Sequence, residues 1–293
     1  MTKTGTTTGL FPGRRPRVIV LAYAARDSRR TEVDRLCQLI EQHADIVLVD
    51  VTFSVDLSQI EADLVIVLGG DGSILRSAHQ MAYHQLPVLG VNLGSLGFLA
   101  ALLPDQLVDV LPKICAGEFR IVEHLMFECR LLRDDQPWCQ ELGLNEVAIF
   151  AGPPFAILDV ELYVDSELAT TYSCDGLILS TPVGSTAHNL SAGGPILRKD
   201  LEAFVISPIS PHTLTNRPVV DTADRVFELV VPKPHEGTSL VVDGRWISKL
   251  TPKDRIRVER SESRFQLVEV AGQGYYRTLR EKLGWGGGFV LGR

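Results

Sequence analysis

Between about residues 17 and 116 the chain repeats one alternation. A short, almost wholly apolar run is followed by a longer stretch in which apolar positions recur every three or four residues. Val18 to Leu21, Ile46 to Asp50, Leu64 to Leu68 and Pro87 to Asn92 read as strands; Ser28 to His43, Ser73 to Tyr83 and Pro104 to Ala116 read as helices. Strands that are apolar on both faces, with helices between them, predict a mostly parallel sheet covered on both sides, the architecture of an α/β domain.

The texture changes near residue 121. Met126 to Leu132, Glu146 to Phe150, Ala156 to Val164, Leu177 to Ser180 and Ala203 to Pro208 read as strands with little helical periodicity between them. Val226 to Val231, Ser239 to Val242, Ile256 to Arg260 and Phe265 to Val270 continue the series, punctuated by Pro and Gly. Polar and apolar residues alternate in Asp159-Val160-Glu161-Leu162-Tyr163-Val164, which suits an antiparallel strand with one solvated face. The expected organisation is a solvated tail over 1–16, an α/β domain over 17–122 and a β-rich domain over 123–272. A C-terminal helix, Tyr275 to Leu283, and tail over 273–293 can pack back on the first domain.

A length of 293 residues accommodates two such domains. A formal net charge of −7 argues against sequence-independent nucleic-acid binding, which needs a basic surface to displace counterions. No apolar run reaches the roughly 18 residues of a membrane helix, and the opening residues lack a signal-peptide core, so no membrane partner and a cytoplasmic location are expected. Five scattered cysteines with no Cys-x-x-Cys spacing fit reduced thiols, and no His-Glu-x-x-His pair points to a zinc hydrolase.

Candidate chemistry begins at Leu68-Gly69-Gly70-Asp71-Gly72-Ser73, where a buried strand runs into three glycines and a helix that Ser73 can cap. Ligands of open α/β sheets collect at this end of the strands. Glycines admit a ligand to the main chain, and a helix start offers unpaired N–H groups to phosphate. The same string also serves simply as a turn from strand to helix. Asp71 separates the two readings, because a carboxylate in an anion-binding loop repels phosphate unless it holds a cation or accepts a proton. Phosphoryl transfer has a use for such a group. No Gly-x-x-x-x-Gly-Lys-Ser/Thr or strand-to-helix Gly-x-Gly-x-x-Gly occurs.

A second polar stretch runs from Cys174 to Pro195: a short strand, then small hydroxyl residues, then Ala187-His188-Asn189-Leu190-Ser191 and two glycines. It offers a flat polar ligand many hydrogen-bond partners, and it is equally composed like an ordinary loop.

Taken together, Gly69-Gly70-Asp71-Gly72, Asn145-Glu146-Val147 and Asp175 through Pro195 resemble the NAD kinase family. Asn92 through Phe98, Arg217-Pro218-Val219 and Leu279 through Gly286 extend the likeness to most of the chain after about residue 16. The resemblance implies transfer of the terminal phosphoryl of ATP, or of inorganic polyphosphate, to the 2′-hydroxyl of the adenosine ribose of NAD. It implies Mg²⁺ or another divalent metal carried on the nucleotide phosphates, and a homodimer or homotetramer. Asp71 falls on the general base, and Gly69, Gly70 and Gly72 on the phosphate loop, with Phe98 in the second glycine-rich block. Asn145 and Glu146 fall on the pair that holds the substrate nucleotide, and Asp175 on a carboxylate near the nicotinamide end. Thr186, Ala187, His188 and Ser191 fall on positions lining the adenosine pocket, His188 where a tyrosine is common. A lipid or sugar-phosphate kinase with the same phosphate loop, and a non-catalytic NAD-binding regulator, are the competing readings.

Overall fold

The computed structural model describes residues 14–23, 27–94, 97–100, 102–153, 157–213, 215–270 and 275–284. The tail over 1–13, Ser95 and Leu96 of the second glycine-rich block, Ala156, Trp285 and Gly286 lie outside the described residues. The chain divides into two compact units, one formed by 1–123 with 266–293 and the other by 124–265.

In the first unit the order is β1 (Arg17–Ala22), α1 (Asp27–Glu41), β2 (Asp45–Asp50), β3 (Leu64–Leu68), α2 (Asp71–Met81), β4 (Val88–Val91) and α3 (Pro104–Cys115). The strands are parallel and lie in the order β2-β1-β3-β4. Alternation along β1 and β3 sends Val18, Val20, Leu64 and Ile66 to one face, where they share a core with Leu36 and Ile40 of α1 and Leu107 and Leu111 of α3. Helix α2 buries Ile74, Ala78 and Met81. The strand order reverses direction between β1 and β3, so the crevice at their carboxyl ends is the topological switch point.

The helix of the phosphate loop starts two residues earlier than the sequence suggests. Gly70, extended at φ −96° and ψ −170°, is the residue before its first turn and makes no side-chain cap. Ser73 is inside that turn, its N–H donating to the Gly70 carbonyl at 2.9 Å. A side chain at Gly69 would overlap that of Ser73, so Gly69 is a packing glycine, whereas Gly70 and Gly72 face open space.

The second unit contains β5 (Arg120–Arg133, from His124 onward), β6 (Gln136–Gly143), β7 (Glu146–Phe150), β8 (Leu158–Val164), β9 (Glu167–Cys174) and β10 (Gly176–Ser180). A 3-10 turn over Gly184–Thr186 and a short helix α4 (His188–Ser191) follow. The remainder is β11 (Ala203–Ile209), β12 (Val219–Thr222), β13 (Phe227–Val230), β14 (Ser239–Val242), β15 (Arg245–Lys249) and β16 (Asp254–Glu269). One antiparallel sheet has the order β12-β11-β10-β7-β14-β15. Strand β16 joins β5 with β6 on one hand and β13 with β8 and β9 on the other. Inward residues of both groups make one core, in which the Phe204 and Phe227 rings meet edge to face at 5.6 Å. The last residues of β16 belong to the first unit, where Leu267 pairs in parallel with Val88, and α5 (Tyr275–Leu283) follows with Leu279 buried.

Candidate active site

Asp71 is the first residue of α2 and partly buried. Its carboxylate accepts three backbone N–H groups: Phe98 at 2.7 Å on Oδ2, Leu99 at 2.9 Å and Ala100 at 3.0 Å on Oδ1. A side chain at Gly97 would overlap this carboxylate, so glycine there is what lets the two loops close on each other. Asn92, buried, fixes the start of the same segment by accepting from Gly94 N–H at 2.7 Å and donating to the Ala100 carbonyl at 3.2 Å. The misplaced charge therefore has a structural task that the sequence conceals: Asp71 folds the Phe98 loop onto the phosphate loop. A carboxylate has about four lone-pair directions, so three backbone donors leave roughly one for an incoming hydroxyl. Phe98 also lies beneath Lys282 of α5, whose Nζ is 5.8 Å from the ring centre. A cavity of about 370 Å³ opens nearby in the sequence of the same unit, lined by Arg29 and Glu32 of α1 and by Asn92, Leu93, Gly94, Leu103 and Pro104.

The second cluster stands on the outer face of the sheet that contains β7 and β10. Register places Glu146 opposite Ser180 and Phe150 opposite Gly176, so Glu146, Ala148 and Phe150 share the face turned away from the core. The segment after β10 folds back over that face. Thr181 Oγ1 donates to the Leu144 carbonyl at 2.6 Å, and Ser180 Oγ to the Asn145 carbonyl at 3.1 Å. The buried Asn189 amide donates to the carbonyls of Ser185 and Pro195 at 3.0 Å each and accepts from Ser207 Oγ at 2.7 Å. Asn189 and Ser207 have no exposed surface, which makes this amide the pin of α4. The Ser/Gly-rich stretch is thus a structured cover, not a free loop.

Glu146 is only 4% exposed. Its Oε1 is 3.1 Å from His188 Nδ1, and its buried Oε2 has no hydrogen-bond partner among the described residues. Burial first, and the negative charge of Asp243 second, push its carboxyl up to about 8. Half-exposed His188 reaches along the face of β7 from Glu146 to Phe150, meeting the latter ring edge to face at 6.1 Å. Asn145 is positioned through its backbone, and its side-chain amide makes no hydrogen bond among the described residues. Thr186 Oγ1 donates to the Val183 carbonyl at 3.3 Å; Ala187 links the 3-10 turn to α4, and Ser191 is exposed at the end of that helix. The cluster unites Asn145, Glu146, Thr186, Ala187 and His188 at one end of β7. Asp175 precedes β10 and so stands at the opposite end of that strand from Glu146, exposed and 3.2 Å from His212 Nε2.

Two participants escaped the sequence reading. Asp243, at φ 47° in the turn between β14 and β15, accepts the N–H groups of Leu144 at 2.7 Å, Asn145 at 2.8 Å and Glu146 at 2.9 Å. Asp243-Gly244 is a legible hairpin signal, but nothing local says that its carboxylate holds another strand. His212 is the other, brought to Asp175 through pairing of β10 with β11.

Residues 19–119 match the model of the ATP-NAD kinase N-terminal domain and residues 144–270 that of the ATP-NAD kinase C-terminal domain. The chain belongs to the NAD kinase family. An NAD kinase of Rhodopirellula baltica is 57% identical over 279 residues, covering 95% of this chain and 90% of that protein. An NAD kinase of Geobacter metallireducens is 42% identical over 225 residues, 77% of this chain and 80% of the relative. Among solved structures, an NAD kinase from Archaeoglobus fulgidus in complex with ATP has a TM-score of 0.72 at 26% identity, covering 92% of this chain and 97% of that one. Yeast NADH kinase complexed with NADH shares the fold, with a TM-score of 0.84 at 23% identity over 96% and 91% of the two chains. The expected α/β domain and antiparallel β-rich domain of the NAD kinase fold are both present.

Proposed function

We infer that the protein is an NAD kinase, transferring the terminal phosphoryl of ATP to the 2′-hydroxyl of the adenosine ribose of NAD and releasing ADP and NADP. The observation that carries this reading is that the two ATP-NAD kinase domain matches cover both candidate clusters, one holding Asp71 and the other Glu146 and His188.

In this reading Gly70 and Gly72 let phosphates approach the backbone at the start of α2. The ribose hydroxyl donates to the free lone pair of Asp71, which takes its proton as the hydroxyl oxygen bonds to phosphorus and the bond to the ADP oxygen breaks. Asn145 and Glu146 hold the nucleotide, with the bare Oε2 of Glu146 as the group that still lacks a partner. Thr186, Ala187, His188 and Ser191 line the adenosine side, the imidazole supplying a face for adenine, and Asp175 contacts the nicotinamide end. Phe98 is tied to the phosphate loop through its backbone N–H on Asp71.

Among the described residues no three His, Cys, Asp or Glu side chains converge as metal ligands. The divalent ion is proposed to arrive on the phosphates of ATP. Such an ion supplies charge neutralisation on the polyphosphate chain. No helix of the described residues is long and apolar enough to cross a membrane. The proposed location is the cytoplasm, and the five free thiols support it. A homodimer or homotetramer is the proposed assembly.

The test is direct. Purified protein with ATP, Mg²⁺ and NAD is expected to form NADP, with sphingosine, diacylglycerol and fructose 6-phosphate left unmodified. Phosphorylation of any of these while NAD stays unchanged overturns the assignment, and polyphosphate in place of ATP tests the range of donors.

A further inference from the structure

The carboxyl ends of β1 and β2, beside the phosphate loop, carry an arginine that the reaction as described does not use. Arg76 lies on the exposed side of α2, five residues past Asp71. Its guanidinium carbon is 5.3 Å from the centre of the Tyr23 ring, just past the end of β1, and 5.8 Å from that of Phe53, just past the end of β2. Most arginines of this acidic protein are paired to a carboxylate, as Arg35 is to Glu32 and Arg133 to Asp254. Among the described residues Arg76 has neither a carboxylate partner nor a hydrogen bond, so its five N–H donors are unclaimed.

The aromatic clamp is a built feature. Phe53 has φ 56°, a left-handed conformation that a bulky residue adopts only when its surroundings impose it. Here buried Asp50 imposes it, accepting the N–H groups of Thr52, Ser54 and Val55 at 2.8 to 3.0 Å and so winding the turn that presents the ring. Gln80 of α2 donates to Asp50 at 3.0 Å and to the Val55 carbonyl at 2.7 Å, tying that turn to the helix that bears Arg76. Rings near the guanidinium attract it through their quadrupoles and limit its motion, while leaving its N–H edge free for an oxyanion. The two rings follow the carboxyl ends of the parallel strands β1 and β2, and Arg76 stands on the helix that begins at Asp71.

We propose that Arg76, oriented by Tyr23 and Phe53, binds the polyphosphate chain of the phosphoryl donor and has no role in holding NAD. The proposal rests on the kinase reading and deepens it. A planar fork of donors matches phosphate oxygens, and the charge on them must be neutralised for transfer.

The experiment uses the full chain. Wild type, Arg76→Met and Arg76→Lys are compared for KM toward ATP, KM toward NAD, and inhibition by inorganic tripolyphosphate, with melting temperature measured for each. Arg76→Met is expected to raise KM for ATP and the inhibition constant for tripolyphosphate together, by roughly ten- to a hundredfold, with KM for NAD unchanged. Arg76→Lys, which keeps the charge and loses the fork, is expected to fall between. An unchanged KM for ATP in Arg76→Met overturns the proposal, as does an equal rise in both KM values. Where Arg76→Met melts early, the Lys variant decides, since its aliphatic stem and charge survive; a KM for ATP in that variant equal to wild type counts against the inference. Failure of the kinase reading itself is distinguishable, because wild type then makes no NADP at all.

Discussion

At the scale of single residues, the two carboxylates of the proposed reaction are held in opposite ways. Glu146 is buried with one bare oxygen, and its folded-state carboxyl titrates near 8, against 4.5 for an unperturbed glutamate. Below about pH 4.5 folded and unfolded chains are both protonated there and the full stability is present. As pH rises towards 8 the unfolded chain ionises while the folded chain keeps its proton, so stability falls by up to about 1.4 kcal/mol per pH unit. Denaturant melts of unliganded protein between pH 5 and 8 are expected to show that decline, and Glu146→Gln is expected to flatten this contribution; an identical slope in the variant excludes Glu146 as its source. His188 is the hydrogen-bond partner of Glu146. His188→Ala leaves Glu146 without it and removes the ring, so NAD binding measured by calorimetry is expected to weaken about tenfold or more if base stacking on aromatics sets the scale. His188→Tyr keeps a stacking face and is expected to bind NAD at least as tightly as wild type. Asp71 instead accepts three backbone donors. Asp71→Asn is expected to lower turnover by on the order of 10² to 10⁴. It also turns an acceptor into a donor facing N–H groups, so amide exchange at Phe98, Leu99 and Ala100 should accelerate. Unchanged exchange there, with turnover lost, leaves Asp71 a chemical role alone.

At the scale of elements, the site depends on a hairpin that does not belong to it. Asp243 holds Leu144, Asn145 and Glu146 by their N–H groups, so β7 starts where the turn between β14 and β15 tells it to. Asp243→Ala orphans these donors at about 1 to 3 kcal/mol for each that stays buried. A lowered melting temperature and a raised KM for NAD, with KM for ATP changed less, are expected; equal changes in both constants argue against a local effect on Glu146. The strands that form the core were legible in the sequence because both periodicity and apolar content mark them, as in Leu64–Leu68 and Gly176–Ser180. Gln136–Gly143, Glu167–Cys174, Val219–Thr222 and Arg245–Lys249 were not. Each is largely polar or solvent-facing, and β6, β9, β12 and β15 are held mainly by the neighbour each pairs with. Strand β16 reads as two segments because the polar run Ser261-Glu262-Ser263-Arg264 interrupts its apolar pattern, yet it is one strand from Asp254 to Glu269. The glycine loop could be found by composition, and Asn145-Glu146 by the resemblance to the NAD kinase family. Arg76 and Asp243 could not, since what distinguishes them is an absent partner in one case and partners a hundred residues away in the other.

At the scale of the whole molecule, the first unit is completed only after the second has been traversed. Residues 14–123 supply β1 to β4 and three helices, but the unit also takes 266–284, with Leu267, Val268 and Leu279 at 5%, 3% and 2% exposure. Val268 packs in the core shared by β1, β3, α1 and α3. Burial of such side chains is worth about 1.5 to 3 kcal/mol each, so removing all three costs roughly 5 to 9 kcal/mol, comparable with the roughly 5 to 15 kcal/mol that stabilises a whole domain. A chain ending at Phe265 keeps every residue of the second core but loses the strand that pairs with Val88 and the helix that sets Lys282 over Phe98. It is therefore expected to lose amide protection in Leu64–Leu68 and Val88–Val91 and to make no NADP, while Leu177 and Phe204 stay protected. A chain ending at Val270 restores the strand but not α5, and is expected to recover protection in β3 and β4 with a lower melting temperature than the full chain. Wild-type protection of β3 in the chain ending at Phe265 means that the closing segment is an accessory, and the first unit would then owe its stability to α1 and α3 alone.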